Sequence, residues 1–268
     1  MKKTLIAFFA LTSAVNAASV GYDSMTAQQQ ENVVLAWDFS DGTNELSKGS
    51  ISENFSLNED KTAAVITTNG NHPWTTSLSN SVSNGNFTLS FDIYSFEANN
   101  WQSLVALYSG SAGNAAGDDR CIQIGVTTAG QLSVFNKVGG ATGFANINTD
   151  GNLGTGLFSS YTGSATLTLV SDMTDTKTLT LYIDGQQVGQ HTNWVAAEGD
   201  SPALKGLQFG ALFGSESRKF PEAEIGNITL WNKALSASEV KGLIVPEPAT
   251  ATLSLLALAG LAARRRRK

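Results

Sequence analysis

"FTLSFDIYSF", residues 87–96, decides how this chain folds. Phe87, Leu89, Phe91 and Ile93 fall on one side of an extended backbone; Thr88, Ser90, Asp92 and Tyr94 fall on the other. An apolar period of two over this length marks a strand with one buried face. The same reading extends outward along the chain. "VVLAWDFSDG" (33–42), "TAAVITT" (62–68), "QSLVALYSG" (102–110) and "CIQIGVTT" (121–128) are short apolar runs bounded by turn residues. "QLSVFNKV" (131–138), "SATLTLVSD" (164–172), "LKGLQFGAL" (204–212) and "AEIGNITLW" (223–231) are of the same kind. In "KTLTLYIDGQQVGQ" (177–190), Leu179, Leu181 and Ile183 point inward, and Asp184-Gly185 supplies the positive-φ pair of a two-residue hairpin. Ala129-Gly130 is a second hairpin turn. Ser236 and Glu239 have the spacing of a capping box and open a short helical turn over 236–243. Strands in steady succession with one trailing helical turn imply an all-β, antiparallel two-sheet sandwich.

The two ends read differently from the middle. Residues 1–17 carry Lys2 and Lys3, an apolar stretch from Leu5 to Leu11, and Val15 and Ala17 at the −3 and −1 positions of a signal-peptidase site. This is a secretory leader with cleavage expected after Ala17, give or take one residue. Residues 18–31 form a loose polar lead-in, and the sandwich is expected over 32–244. At the other end Ala249–Ala263 is an uncharged run followed by Arg264–Arg267 and Lys268. As a helix it reaches about 22 Å, against a bilayer core of about 30 Å. It is a marginal span, and its basic cluster belongs on the cytoplasmic side.

The charge balance follows from this division. Of 17 Lys and Arg, seven lie in the terminal segments, as does one of 23 Asp and Glu. The remainder holds 10 cations against 22 acids, a formal charge of −12. No basic patch is left to follow a phosphate backbone, which argues against nucleic acid as a partner. An acidic surface fits solubility outside the cell or calcium binding. Cys121 is the single cysteine, so no intrachain disulfide forms, and its place in "CIQIGV" is that of a small core residue.

Pro246-Glu247-Pro248, the short apolar run and the terminal arginine cluster, taken in that order over 245–268, resemble the PEP-CTERM sorting signal of Gram-negative bacteria. The resemblance implies processing near this motif by a transpeptidase-like exosortase after transient inner-membrane association. It also implies delivery to the cell surface or extracellular matrix. "FTLSFDIYSF", "TLTLYIDGQQVGQ" and "IGNITLWNKALSASEV", over roughly 32–244, resemble the concanavalin A-like jelly roll of laminin-G-type domains. That resemblance implies a jelly-roll sandwich followed by the helical turn and a C-terminal hydrophobic sorting helix. Family members often carry Asp just after the Ile of the closing strand. Here the position is Gly226, with Asn227 next, so a calcium site resting on that Asp does not carry over.

The same fold hosts glycosidases with a Glu-x-Asp-x-x-Glu strand, in which two carboxylates act as nucleophile and acid. The nearest approach, Glu222-Ala-Glu224-Ile-Gly-Asn227, ends in an amide that cannot donate a proton as an acid. His72 and His191 belong to no nucleophile motif, and no catalytic residue is assigned. The expectation is a non-catalytic module that binds polysaccharide or matrix; the alternatives are a structural surface component without a specific ligand and, third, a glycoside hydrolase relative. Sugar recognition uses aromatic faces with nearby amides and acids. Trp74, Trp101 and Trp194 stand in polar, loop-like surroundings and are the candidate ligand-binding residues, while Trp37 and Trp231 belong to apolar strands and the core. Asp118-Asp119, after "SGSAGNAAG", is a weak calcium candidate.

Overall fold

The computed structural model describes residues 17–39, 50–51, 56–60, 63–67, 74–82, 85–97, 102–108, 121–126, 132–137, 144–146, 160–192, 204–209 and 222–246. The chain opens with β1 (Ala17–Ser19), a 3-10 turn (Tyr22–Ser24) and α1 (Ala27–Gln30), then β2 (Val33–Trp37), β3 (Ser50–Ile51), β4 (Ser56–Leu57) and β5 (Ala64–Thr67). The long central strands are β6 (Trp74–Val82), β7 (Phe87–Glu97), β8 (Gln102–Tyr108), β9 (Cys121–Val126), β10 (Leu132–Lys137) and β11 (Phe144–Asn146). They are followed by β12 (Ser160–Asp172), β13 (Thr178–Ile183), β14 (Gln186–Thr192), β15 (Leu204–Phe209) and β16 (Glu222–Trp231). The chain closes with α2 (Ala237–Gly242) and β17 (Ile244–Pro246).

All but β1 and β17, which pair with each other, form the two antiparallel sheets of the expected sandwich. One sheet has seven strands in the order β11-β10-β9-β8-β15-β6-β3. The other has eight, in the order β14-β13-β12-β7-β16-β5-β4 with β2 beside β16. Sequence neighbours such as β6 and β7 lie in different sheets, so the chain crosses between layers as a jelly roll does. Phe87, Leu89, Phe91 and Ile93 of β7 face the main core with Leu167, Leu169, Leu179, Leu181, Leu207 and Phe209. Phe91 and Phe209 meet edge to face across the two sheets, their ring centroids 5.7 Å apart. Ile183 is partly buried against the same core. The hairpin turn is as expected, with positive φ at Asp184 and Gly185 (50° and 72°). Trp37 and Trp231 are buried.

Residues 17–31 are not loose. The segment runs across the outer face of the eight-stranded sheet, and β1 pairs antiparallel with β17, Ala17 opposite Pro246. Met25, Val33, Trp231, Leu235, Val240 and Leu243 make a second, smaller core under this cover. Trp231 Nε1 donates to the carbonyl of Gln29 at 2.7 Å. The polar face of β7 is therefore buried too: Thr88, Ser90 and Asp92 are at most 2% exposed. Each finds a partner, as buried polar groups must. Thr88 Oγ1 donates to the carbonyl of Lys233 (2.8 Å) and accepts from the amide of Leu235 (2.9 Å); Ser90 bonds Thr168 (2.9 Å). Ser236 caps α2 in a complete capping box with Glu239. Among the described residues no helix is long and apolar enough to cross a membrane. The sorting helix expected after Pro248 lies outside them.

Candidate functional site

Strand direction sets which strands begin and which finish at each end of the sandwich. Trp74 is not in a loop. It opens β6, where its backbone pairs with Phe209, and Phe209 pairs on its other side with Val105 of β8. β6 and β8 both run antiparallel to β15, so both start at the same end of the sheet. β15 lies between them, and neighbouring strands lie about 4.8 Å apart, so the starts of β6 and β8 are roughly 10 Å apart across the sheet. Trp194 follows β14 by two residues. β14 finishes opposite the start of β13, Thr192 facing Thr178, and β13 starts beside the end of β12, where Asp172 faces Thr178. The end of β12 lies against the start of β7, Ser171 facing Phe87. Since β6 ends where β7 begins, β14 finishes at the opposite end of the sandwich from the starts of β6 and β8.

Asp118 and Asp119 fall between Tyr108 and Cys121, which face each other where β8 ends and β9 begins. Tyr108 also faces Gly206 near the start of β15, so β8 ends and β9 begins at the end where β14 finishes. Trp101, Trp194, Asp118, Asp119 and His72 lie outside the described residues, as do Glu247 and Pro248. Among the described residues, no three His, Cys, Asp or Glu side chains gather to hold a metal ion.

The near-match to the glycosidase strand occupies β16. Glu224 is half-buried and accepts from Asn58 Nδ2 at 3.5 Å. Asn227 is an extra residue in the pairing of β16 with β7, since Gly226 faces Asp92 and Ile228 faces Phe91. This bulge returns Ile225 and Ile228 to the same core and sends the Asn227 amide elsewhere. Asn227 Oδ1 accepts the amide of Phe39 (3.1 Å), and Nδ2 donates to the carbonyl of Ser19 (3.2 Å). The residue is a structural clip. Gly226 is small for a reason: a Cβ there would lie 2.4 Å from the Tyr94 ring. The Asp common at this position in related domains would collide with Tyr94.

One cleft of about 270 Å³ is lined by Thr26, Gln29, Trp231, Glu239 and Leu243, among others. Two of its polar side chains, Glu239 and Gln29, are already engaged. Glu239 bonds Lys233 (2.7 Å) and the amide of Ser236 (2.7 Å), while the Gln29 side chain bonds Thr26 and the carbonyl of Gly242.

The strongest polar constellation is one that the sequence does not announce. Asp92, fully buried, accepts the Ser19 amide (3.0 and 3.2 Å), the Ser19 hydroxyl (2.9 Å) and the Thr166 hydroxyl (2.6 Å). Burial pushes its carboxyl up to about 6, against the opposing pull of these bonds. Period-two alternation marks Asp92 only as outward-facing; its partner on β1 is 73 residues away in sequence.

The fold has relatives of known structure. The binding domain of Paraclostridial Mosquitocidal Protein 1 is similar with a TM-score of 0.59 and 16% identity, over 81% of this chain and 52% of that one. Botulinum neurotoxin type C, whose cell entry depends on interaction with two ganglioside molecules, gives 0.58 and 14% over 81% and 51%. The receptor binding domain of botulinum neurotoxin D gives 0.53 and 12% over 80% and 52%. This chain thus spans about half the length of these structures. No curated protein matches it in sequence. Residues 245–268 match the PEP-CTERM protein-sorting motif, which marks an exported protein. Residues 67–241 match the family model of concanavalin A-like lectins and glucanases, and with two thirds of its length so matched the chain belongs to the concanavalin A-like lectin/glucanases superfamily.

Proposed function

We propose that the protein is an exported, non-catalytic jelly-roll module that binds polysaccharide or other extracellular matrix at the surface of a Gram-negative cell. The observation that carries this reading is the lectin-type sandwich itself, similar in fold to receptor-binding domains, one of them from a toxin that uses gangliosides. At 12–16% identity that likeness supports the architecture, and the ligand class is our inference from it. In the same reading, signal peptidase cuts after Ala17 and an exosortase-like enzyme processes the chain at Pro246-Glu247-Pro248. The domain then starts at Ala18 rather than at residue 32, because Ser19 is bonded to the centre of β7.

Ligand contact is assigned to Trp74, Trp101 and Trp194, and any calcium to Asp118 and Asp119. A tryptophan face stacks on the apolar side of a sugar ring, and paired acids with carbonyls suit calcium. A glycan array probed with the exported protein, in calcium and again in chelator, tests the reading. Selective, saturable glycan binding supports it. Loss of that binding in chelator assigns a role to calcium, and binding that ignores chelator assigns a calcium-independent site. An array without signal in either buffer overturns it in favour of a purely structural surface component.

A further inference from the structure

Asp92 is a buried carboxylate held entirely by neutral donors. Its four bonds come from the Ser19 amide, the Ser19 hydroxyl and the Thr166 hydroxyl, and no Lys, Arg or His among the described residues bonds to it. The elements around it supply no compensating charge. β12 contributes Thr166, whose amide is bound to Asp184 Oδ1 at 2.8 Å, and Asp184 is a second carboxylate that disfavours ionisation of the first. β16 contributes Gly226 and the bulged amide of Asn227. Tyr94, two residues along β7, lies against Gly226. Lys241 on α2 passes Gly185 with its backbone, but its side chain is exposed. Buried carboxylates are ordinarily paired, because desolvating the charge alone is costly.

The missing cation lies one residue up the chain. Ser19 N is 3.0 Å from Asp92 Oδ1, and one residue of extended chain spans about 3.5 Å. The nitrogen of Ala18 therefore comes within roughly 7 Å of the carboxylate. In the uncut chain it is a neutral amide. We propose that the α-ammonium group freed at Ala18 by removal of the leader is the counter-ion of Asp92, so that the domain is stabilised by the cut that releases it from the leader. The inference rests on the proposed cleavage after Ala17. The ammonium stays in its cradle because β1 is paired to β17 on one side and bonded through Ser19 to Asp92 and Asn227 on the other.

The pH dependence has a definite sign. In the uncut chain the folded carboxyl titrates near 6, above its ordinary 3.8. The fold then prefers the protonated acid, and stability falls as pH rises between those values. A nearby ammonium, charged up to about pH 8, lowers the folded value and removes that fall.

The test displaces the amine without touching the fold. Inserting Gly-Ser between Ala17 and Ala18 keeps the leader junction and moves the new terminus about 7 Å away. The exported parent and the insertion variant are melted at pH 7, each also in an Asp92→Asn background. We expect the insertion to lower Tm by roughly 3 °C when Asp92 is present and to have no effect in Asp92→Asn. In the Asp92 pair the gap closes as pH falls from 7 to 4, a readout that holds even if Asp92→Asn fails to fold. An insertion that leaves Tm unchanged, or a loss that is the same at pH 4 and pH 7, overturns the ion pair. Intact mass separates the two readings: chains beginning at Ala18 with no gap sink the ion pair alone. Chains that keep the leader sink both.

Discussion

Ala17 and Pro246 face each other as partners in the antiparallel ribbon of β1 and β17. The residue assigned to the leader junction and the first residue of the sorting motif are thus held side by side. β17 runs from Ile244 to Pro246, and the ring of Pro246 leaves no amide to donate to a ladder. Surface material should therefore end close to Pro246-Glu247-Pro248, and intact-mass spectrometry should show no species carrying Arg264–Lys268. A retained basic tail would contradict processing at the motif.

Asn227 is the second joint of the terminal strap. Replacing it by Ala orphans the amide of Phe39 and the carbonyl of Ser19, which it now satisfies at 3.1 and 3.2 Å. An unsatisfied buried group costs about 1–3 kcal/mol. Asn227→Ala should lose roughly 2 kcal/mol in urea denaturation, and cleavage by added protease should begin within residues 18–31. Unchanged stability would mean that water replaces both bonds.

Glu239 gives a pH response opposite in sign to that of Asp92. The hydrogen bond from Lys233, aided by those from Ser236, holds its carboxyl down to about 2, below the ordinary 4.5. Its contribution is present above about 4.5 and is lost as pH falls toward 2. Glu239→Ala should cost about 1 kcal/mol at pH 7, the usual worth of a helix cap, because the ion pair is exposed and adds little. Melting curves of parent and variant should converge at pH 2. A constant difference across the range would assign the effect to helix propensity instead.

The apolar face of β7 was legible because Phe87, Leu89, Phe91 and Ile93 repeat at the period of a strand, and all four are buried as that period requires. Its other face was not. Thr88, Ser90 and Asp92 have the character of solvent-facing residues, yet all three are buried, with Thr88 bonded to Lys233 after β16, Ser90 to Thr168 of β12 and Asp92 to Ser19 of β1. Alternation reports which side a residue faces and is silent on what covers that side. The cover, residues 17–31, is polar because it meets hydroxyls and a carboxylate, and so it resembles a loose linker. Trp74 was misplaced for a related reason. "WTTSLSNSV" has few apolar residues to reveal strand β6, although Leu78 and Val82, four apart, are the trace of its alternation.

The tryptophans carry the last prediction. Trp74 opens β6, Trp101 directly precedes β8 in sequence and Trp194 follows β14 by two residues. Removing an aromatic binding hot spot costs about 2 kcal/mol or more, which is more than tenfold in affinity. If glycan binds through a tryptophan, at least one of Trp74→Ala, Trp101→Ala and Trp194→Ala should weaken it at least tenfold with Tm unchanged. If calcium takes part through Asp118 and Asp119, Asp118→Asn with Asp119→Asn should also weaken binding and remove its dependence on calcium. Calorimetric titration beside thermal melts separates binding from folding for each variant. A set in which all three tryptophan variants lower Tm and none changes affinity selectively identifies them as packing residues, and the module then binds no sugar through its tryptophans.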